Sequence, residues 1–363
     1  MKVLHISPTY FSEQSFIGGG ERYTYELAKA MVQKEEVVFL SFAEELSSQR
    51  DGALRIEHIQ KSSLLRRHSL GANLFSPRLL KWIFWADVIH CHQLFTLATD
   101  VAVMLGKAFR KKVFATDLGG GDRFAFSYHL PVLNRVDAFL LISDYSKRLW
   151  ERAPLKSRPK KLQVIYGGVD TEKFSPGNGN RAKKALFVGR LLPHKGVDYL
   201  LDAIEGQLSL DVVGRVYHED YFLLLRDKSK GKTVSFYTAV DEEELVRKYR
   251  ESLVTVLPSV YDDCYGTHTE VPELFGLVLL ESMSCGTPVI AADVASLPEI
   301  VEQGVTGFLV PPNDPVAIRE KIEYFYANPN VAVQMGMRGR EKVLKEFTWD
   351  RVVDCCLAAY RSG

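Results

Sequence analysis

Two glutamates interrupt an apolar segment in the second half of the chain. Glu273 and Glu281 stand in the stretch PELFGLVLLESMSCGTPVIA, residues 272–291, where a carboxylate costs free energy unless a partner satisfies it. The pattern predicts a helix from about Phe275 to a stop at Gly286, with Glu273 just before it and Glu281 two turns along. Carboxylates accept strong hydrogen bonds from vicinal hydroxyls, so the pair could hold two ends of a polyhydroxylated ligand. The alternative is a capping Glu273 and an exposed Glu281.

A basic loop follows one of the predicted strands. The stretch FVGRLLPHKG, residues 187–196, carries Gly189, which allows a tight turn, and then Arg190 and Lys195. The guanidinium fork and the compact ammonium could both reach one anion, such as a phosphate. A solvated basic turn is the alternative, and the loop alone does not decide between the two.

A glycine-rich stretch, GGGER at residues 18–22, precedes the first predicted helix. Backbone N–H groups at Gly19 or Gly20 could approach a diphosphate closely. A dinucleotide-binding fingerprint would place its glycines directly after the first strand, whereas here the strand and the glycines are far apart in sequence. The spacing disfavours a Rossmann oxidoreductase, and a plain connecting loop remains the alternative.

Short β-rich runs alternate with helix-length segments along the whole chain. This alternation predicts parallel βαβ units, and it restarts after the polar stretch SPGNGNRAKK. Two cycles of similar size predict an α/β protein with two Rossmann-like, doubly wound domains facing across a cleft. Ligands of such sheets bind beyond the carboxyl ends of the strands, which is where the unusual residues fall. The final segment, FTWDRVVDCCLAAYR, predicts an amphipathic helix with an apolar stripe that contains Trp349, Val352, Val353, Cys356 and Tyr360.

Composition limits the classes of function. The 363 residues include 46 Lys and Arg against 45 Asp and Glu, a net charge of +1, which predicts no general attraction to nucleic acid. The five cysteines form no C-x-x-C pair and indicate reduced thiols. The first residues lack the apolar core of a signal peptide, and no run reaches the length of a membrane span. We therefore expect a cytoplasmic protein.

These motifs together resemble one enzyme family. The glutamate segment is similar to the E-x7-E signature of retaining glycosyltransferases of family 4, which have the GT-B fold. GGGER resembles the glycine-rich loop of that family, and ISDYSK resembles its S-x-x-x-K segment. Similar matches are VIYGGVDTEKFSP, FVGRLLPHKG, VTGFLVPPNDP and the closing helix that begins FTWD. The resemblance extends over nearly the whole chain.

The resemblance implies roles for individual residues. Arg190 and Lys195 would bind the diphosphate of a nucleotide-sugar donor, Glu281 its ribose hydroxyls, and Glu273 the 3- and 4-hydroxyl region of the transferred sugar. The remaining donor-binding positions implied are backbone or turn residues: Gly19, Gly20, Gly189, Val240, Phe275, Gly276 and Leu277. The family generally needs no bound metal and no cofactor besides the donor substrate. It also implies an acceptor-side domain at residues 1–168, a nucleotide-sugar domain at residues 169–346, and a helix at residues 347–363 that packs back across the interface.

The chain departs from the family at one important position. The family often carries a His near the reacting sugar, whereas the matching stretch ATDLGGGDR has Leu118 there. Asp117, Asp122 and Arg123 are candidates to replace it on the acceptor side. His92 is a further candidate, although a His at a strand end is more often solvated or structurally bonded.

A basic and aromatic segment, residues 61–85, has two interpretations. It could meet a membrane surface that carries a lipid-linked acceptor, or it could be a helix that packs on the first sheet, which we favour. The function that the sequence predicts is sugar transfer from a UDP-sugar, with UDP-glucose the first choice, to a glycan or lipid-linked acceptor. The alternatives are another nucleotide-sugar enzyme, such as an epimerase or hydrolase, and a sugar-nucleotide-binding protein with decayed catalysis.

Overall fold

A computed structural model of the chain describes residues 1–7, 19–60, 75–119, 125–153, 159–179 and 181–362. The chain divides into two compact units. One contains residues 1–167 with the C-terminal residues 349–363, and the other contains residues 168–348. Each unit has its own, mainly parallel sheet.

The first unit alternates strands and helices, as the sequence predicts. Its strands are β1 (Lys2–Ile6), β2 (Glu36–Ala43), β3 (Ser47–Asp51), β4 (Leu54–Gln60), β5 (Val88–Cys91), β6 (Lys112–Ala115), β7 (Ala138–Leu141) and β8 (Leu162–Val164). Its helices are α1 (Gly19–Met31), α2 (Leu79–Trp85), α3 (Leu97–Ala108), α4 (Asp144–Arg152) and, from the chain terminus, α12 (Trp349–Ser362).

The sheet of the first unit has the order β3-β4-β2-β1-β5-β6-β7-β8. All neighbouring strands are parallel except β3 and β4, which pair antiparallel at one edge. The order reverses between β1 and β5, which gives the doubly wound arrangement expected for alternating strands and helices. Buried side chains from the sheet, α2 and α3 form its core, among them Leu40, Ile89 and Val103.

The second unit repeats the same architecture. Its strands are β9 (Ala182–Val188), β10 (Ser209–Val213), β11 (Thr233–Tyr237), β12 (Ser252–Leu257), β13 (Val289–Ala292) and β14 (Gly307–Val310). Its helices are α5 (Val197–Ala203), α6 (Glu219–Lys228), α7 (Glu242–Glu251), α8 (Leu277–Ser284), α9 (Leu297–Ile300), α10 (Pro315–Ala327) and α11 (Pro329–Glu346). The parallel order β11-β10-β9-β12-β13-β14 reverses between β9 and β12, which is where a doubly wound sheet binds its ligand.

Helices α1 and α12 each bury an apolar face. Helix α1 buries Tyr25, Ala28 and Met31. Helix α12 buries all five residues of its predicted stripe: Trp349, Val352, Val353, Cys356 and Tyr360. The closing helix belongs to the first unit and packs on α1, where the rings of Tyr23 and Trp349 lie 5.6 Å apart.

Helix α8 begins two residues later than the sequence pattern suggests. Gly276 has φ +98°, a left-handed conformation that does not continue a helix and that glycine adopts most readily. A Cβ at this position would also lie 2.8 Å from a methyl carbon of Leu297. The helix therefore starts at Leu277, and Phe275 lies in the preceding loop.

Candidate active site

The loop after β9 runs beside the continuation of β10. The Gly189 N–H donates to the Val213 carbonyl at 3.0 Å, and the Leu191 N–H donates to the Arg215 carbonyl at 3.0 Å. The two segments approach so closely that a Cβ on Gly214 would lie 1.8 Å from the Gly189 oxygen. Glycine at position 214 is therefore a requirement of this loop geometry. The pairing holds the backbone on either side of Arg190.

Lys195 is brought into the protein by a tight turn. It ends the 3₁₀ turn Pro193–Lys195, and Gly196 follows with φ +67°. A Cβ on Gly196 would meet the Pro258 carbonyl oxygen at 2.1 Å, so the turn packs directly on the backbone after β12. The lysine is only 7% exposed.

The buried lysine meets the first of the two glutamates. Lys195 Nζ donates to Glu273 Oε2 at 2.6 Å and to the Pro272 carbonyl at 2.9 Å. The two side chains are 9% and 15% exposed. A pair this poorly solvated keeps its charges only with good geometry and additional hydrogen bonds. The structure thus joins a predicted phosphate-binding residue and a predicted sugar-binding residue in one ion pair.

Arg190 is placed differently from Lys195. It lies at the exposed end of the same loop, and its guanidinium carbon is 5.7 Å from the centre of the Tyr217 ring. This distance is within the range of a cation–π contact. The pKa of the nearby His194 is lowered to about 4. Burial is the largest cause, and the charges of Lys195 and Arg190 lower it further.

The second glutamate is inside the protein and held by a tyrosine. Glu281 is 5% exposed, and the Tyr249 hydroxyl donates to its Oε2 at 2.8 Å. The alternative of an exposed Glu281 is therefore wrong. Tyr249 lies in the last turn of α7, an element in which the sequence did not suggest a functional residue.

The remaining donor-side positions lie at strand ends or at the start of α8. Phe275 is buried against Phe347, with ring centres 6.0 Å apart, so only its backbone can meet a ligand. Leu277 is the first residue of α8 and is half-buried. Val240 is half-buried after β11, next to Asp241, whose carboxylate caps α7 by accepting from the Glu244 N–H at 2.7 Å.

In the first unit, the predicted glycines begin a helix. Gly19 and Gly20 are the first two residues of α1. A Cβ on Gly20 would lie 3.4 Å from the Leu118 Cβ, so the residue that replaces the usual family His packs beside this helix start. Leu118 follows β6, as expected for a residue near a ligand site.

Asp117 has structural partners. Its carboxylate accepts from the Trp150 indole N–H at 3.1 Å and from the Gly119 N–H at 3.1 Å. Burial raises its pKa, and these two hydrogen bonds oppose that rise. Both interactions fix the turn after β6. Asp122 and Arg123, the two other candidates from this turn, lie outside the described residues.

His92 lies in a buried histidine network. Its Nε2 is 2.7 Å from His5 Nδ1, and His90 contacts the Tyr360 hydroxyl at 2.7 Å and Thr116 Oγ1 at 2.8 Å. Burial lowers the pKa of His5 to about 3 and the pKa values of His90 and His92 well below the usual range. His92 is 2% exposed. As placed, it is part of a neutral hydrogen-bond network that ties α12 to the sheet.

The same three histidines could be considered as metal ligands, because one nitrogen from each lies within 4.8 Å of the others. Two imidazole ligands of a tetrahedral zinc ion would lie about 3.3 Å apart, given Zn–N bonds of about 2.0 Å. The His5 and His92 nitrogens are closer, at 2.7 Å, which is a hydrogen-bonding distance. The arrangement fits a shared proton better than a shared metal ion.

Only part of the basic and aromatic segment is described. Residues 61–74 lie outside the described residues, and α2 follows them with Leu79, Trp82 and Ile83 buried. This part of the segment packs on the first sheet, as favoured from the sequence. Its other face exposes Leu80 and Phe84 at 39% and 55%. Within the described ranges, no helix has the length and apolar character to cross a membrane.

Solved structures with the same fold are glycosyltransferases of the GT-B type. Sucrose-phosphate synthase from Thermosynechococcus elongatus superposes with a TM-score of 0.78 at 23% identity, covering 99% of this chain and 98% of that one. HepE from Anabaena, solved in complex with UDP and glucose, superposes with a TM-score of 0.77 at 19% identity over the full length of both chains. The fold predicted from the sequence is confirmed.

Two family descriptions match the sequence itself. Residues 168–342 match "Glycosyl transferases group 1", and residues 17–173 match "Glycosyltransferase Family 4". The chain belongs to the glycosyltransferases that carry this pair of domains. The family resemblance noted from the motifs is therefore confirmed.

Curated relatives agree with this membership. A D-inositol 3-phosphate glycosyltransferase of Acidothermus cellulolyticus is 32% identical over 233 residues, which are 57% of this chain and 49% of the relative. The chain thus matches about half the length of that relative. An uncharacterized glycosyltransferase of Methanocaldococcus jannaschii is 27% identical over 97% of this chain and 96% of its own length.

Proposed function

We propose that the chain is a retaining glycosyltransferase that moves a sugar from a nucleotide diphospho-sugar to a glycan or lipid-linked acceptor. The observation that carries the proposal is the Lys195–Glu273 pair, with Nζ and Oε2 2.6 Å apart, in the same unit as the buried Glu281. A UDP-sugar, with UDP-glucose first, is the proposed donor. Support for this choice comes from HepE, a protein of the same fold that has been solved with UDP-glucose.

The cations would act on the leaving group. Cleavage of the anomeric C–O bond leaves an oxocarbenium-like sugar and a nucleoside diphosphate with one more negative charge. Arg190 and Lys195 would stabilise that charge, and charges fixed in place before the reaction are often the largest contribution to a rate enhancement. The N–H groups at the start of α8 and at Gly19 or Gly20 would add partial positive charge. Two cationic side chains and helix ends suit a reaction without a bound metal ion.

The carboxylates would hold the two sugars of the donor. Glu273 would accept hydrogen bonds from the 3- and 4-hydroxyl region of the transferred sugar, and Glu281 from the ribose diol. The backbone at Phe275, Gly276 and Leu277 would steady the sugar and the phosphates, and Val240 would flank the base.

In the proposed site, the residue that binds the phosphate and the residue that binds the sugar are in direct contact, because Lys195 pairs with Glu273. Lys195 balances the charge of Glu273, and the carboxylate can still accept hydrogen bonds from sugar hydroxyls. Misplacing either residue would disturb both phosphate and sugar. Retention would follow from front-side attack within an ion pair, in which the leaving phosphate takes the proton of the acceptor. Glu273 has no role as a covalent nucleophile in this scheme.

One observation favours a second candidate function. Leu118 packs beside Gly20 at the position where the family often has a His, and an apolar side chain can neither donate to nor accept from a sugar hydroxyl. A sugar-nucleotide-binding protein with weak catalysis would fit this substitution. Turnover separates the two candidates, because such a protein would bind the nucleotide tightly without releasing it from the donor.

Peripheral contact with an anionic membrane is also part of the proposal. Phe84 is 55% exposed, and its ring centre lies 4.2 Å from that of the 40% exposed Phe109. Arg110 and Lys111 follow Phe109 directly, and aromatic and basic side chains together favour a membrane interface. Binding to anionic liposomes should weaken when Arg66 and Arg67, from the neighbouring basic stretch, are replaced by Glu. Failure of the wild-type chain to sediment with such liposomes contradicts this part.

The proposal is tested with a panel of UDP-, GDP- and ADP-sugars. We expect slow release of one nucleoside diphosphate by hydrolysis, and faster release when a suitable glycan or lipid-linked acceptor is added. Glu281→Ala should weaken nucleotide binding, whereas Glu273→Ala should mainly slow transfer. Normal transfer by both variants would contradict the site. The anomeric configuration of the product, read by NMR, tests retention, and unchanged rates in EDTA test metal independence.

A further inference from the structure

Tyr249 is a buried residue whose only polar side-chain atom points at the second glutamate. Its exposure is 0%, and its ring packs near Phe174 with centres 6.0 Å apart. Its hydroxyl donates to Glu281 Oε2 at 2.8 Å. A hydrogen bond to a buried carboxylate stabilises the ionised form and restricts its rotation. This contact therefore helps to orient the Glu281 carboxylate.

The backbone of Tyr249 is fixed to the far end of the helix that carries Glu281. The Tyr249 carbonyl accepts from Thr287 Oγ1 at 2.6 Å and from Arg181 Nη1 at 3.3 Å. The Arg181 guanidinium also donates to the Cys285 and Gly286 carbonyls, at 3.1 Å and 2.8 Å, just after α8 ends. One guanidinium thus joins the C-terminal ends of α7 and α8. The hydroxyl and the carboxylate are held in register by both helices.

We propose that Tyr249 is a positioning residue for the ribose of the nucleotide donor. The inference rests on the proposed function, in which Glu281 binds the ribose diol. By occupying one lone pair of Oε2, the Tyr249 hydroxyl holds the carboxylate in the orientation that receives the 2′- and 3′-hydroxyls. Tyr249 does not touch the reacting atoms, so its effect falls on donor binding and not on the chemical step.

The test compares UDP with 2′-deoxy-UDP on the full chain. In the wild type, loss of the 2′-hydroxyl should weaken binding about tenfold, as expected for one hydrogen bond to a charged group. In Tyr249→Phe, the dissociation constant for UDP should rise about five- to tenfold and the preference for UDP over 2′-deoxy-UDP should fall towards one. With the UDP-sugar, KM should rise while kcat stays within about twofold of the wild type.

Tyr221→Phe is the matched control. Tyr221 is a second buried tyrosine, and its hydroxyl donates to Asp198 Oδ1 at the same distance, 2.8 Å. This variant loses the same type of hydrogen bond and should keep the wild-type preference for UDP. If Tyr249→Phe folds poorly, Thr287→Val provides a second test. It removes the hydrogen bond to the Tyr249 carbonyl and retains the Tyr249 hydroxyl. It should lower the preference in the same direction, by a smaller factor.

The outcomes separate the inference from the proposed function. A wild type that prefers UDP to 2′-deoxy-UDP, with Tyr249→Phe and Thr287→Val showing the same preference, overturns the role of Tyr249 alone. A wild type that binds none of UDP, GDP and ADP overturns the proposed function and the inference together.

Discussion

The loop residues of the second unit and the histidine network of the first unit are two opposite uses of titratable side chains. Lys195 and Glu273 form a poorly solvated ion pair, with Nζ and Oε2 2.6 Å apart. Around His5, His90 and His92, burial keeps the imidazoles neutral. His5 Nδ1 bonds to His92 Nε2, and both His90 nitrogens bond to hydroxyl groups. The first arrangement places an ammonium group and a carboxylate side by side, the two groups that the proposed function assigns to a phosphate and to a sugar. The second is a buried hydrogen-bond network that is part of the packed core of the first unit.

The comparison shows why residue type at a strand end is an incomplete signal for function. Both groups follow or end parallel strands near the point where the strand order reverses. What differs is the turn that follows. Gly196 turns Lys195 onto the backbone after β12, whereas His90 and His92 are covered by α12 through the Tyr360 hydroxyl and by His5. The turn at Gly196 brings Lys195 to Glu273, whereas helix α12 covers the histidines and leaves them buried.

Acid should affect the first unit most. The unfolded chain binds protons on histidines with pKa about 6.5, while burial keeps the folded histidines neutral to lower pH, to about 3 for His5. The unfolded state therefore binds more protons, and stability is lost as pH falls below about 6.5, by about 1.4 kcal/mol per pH unit for each such histidine. Urea unfolding followed by tryptophan fluorescence measures it, because all four tryptophans lie in the first unit.

A variant pair sharpens this prediction. His92→Gln should reduce the slope of stability against pH, because it removes one of the neutral histidines. His129→Gln, at an exposed position, should leave the slope at its wild-type value. An unfolding midpoint that stays constant between pH 7 and pH 5 would contradict the assignment of a neutral network.

Lys195→Ala should give the largest loss of activity. It removes a cation that the proposed function places at the leaving group, and it leaves Glu273 as a poorly solvated carboxylate without its ion-pair partner. We expect kcat/KM for the donor to fall about 100- to 1,000-fold, as when one preorganised donor is removed from a charged transition state. Lys342→Ala is the control: Lys342 is 12% exposed and pairs with Glu302 at 2.6 Å, and its loss should leave kcat/KM unchanged. Equal losses in both variants would indicate a stability effect.

Arg190→Ala should have a smaller effect. Arg190 is exposed and contacts the Tyr217 ring, so removing it leaves no buried charge and should not lower the unfolding temperature. The donor KM should rise about tenfold, which corresponds to the loss of one hydrogen bond to a charged group at a solvent-exposed site. Arg190→Lys should recover part of that loss, because it restores the charge without the fork. A donor KM equal to that of the wild type in Arg190→Ala would remove Arg190 from the proposed site.

Much of the fold could be predicted from the sequence because its signals are periodic. The alternating strands and helices and the apolar stripe of α12 both follow from local patterns. The antiparallel β3 was not predicted. Its residues, Ser47–Asp51, are polar and mostly exposed, so the pairing leaves no hydrophobic alternation to read.

The site could be predicted only as a set of residue types. Motifs and spacing predicted Glu273, Glu281, Arg190 and Lys195 as candidates. They could not show that Lys195 pairs with Glu273, since that contact joins residues 78 positions apart. Tyr249 gave no signal, because a tyrosine in an amphipathic helix is usually a core residue. Gly214 does carry a sequence signal, because a glycine directly after a strand often marks a close approach of two backbone segments.

The most direct test of the central claim is nucleotide release from UDP-glucose by the wild type, Lys195→Ala and Lys342→Ala at equal folded concentration. The account predicts slow UDP release by the wild type and by Lys342→Ala, and at least about a 100-fold loss in Lys195→Ala. If UDP-glucose is not turned over, the same measurement with GDP- and ADP-sugars decides the base. Absence of release from every donor, or release that Lys195→Ala leaves intact, would contradict the account.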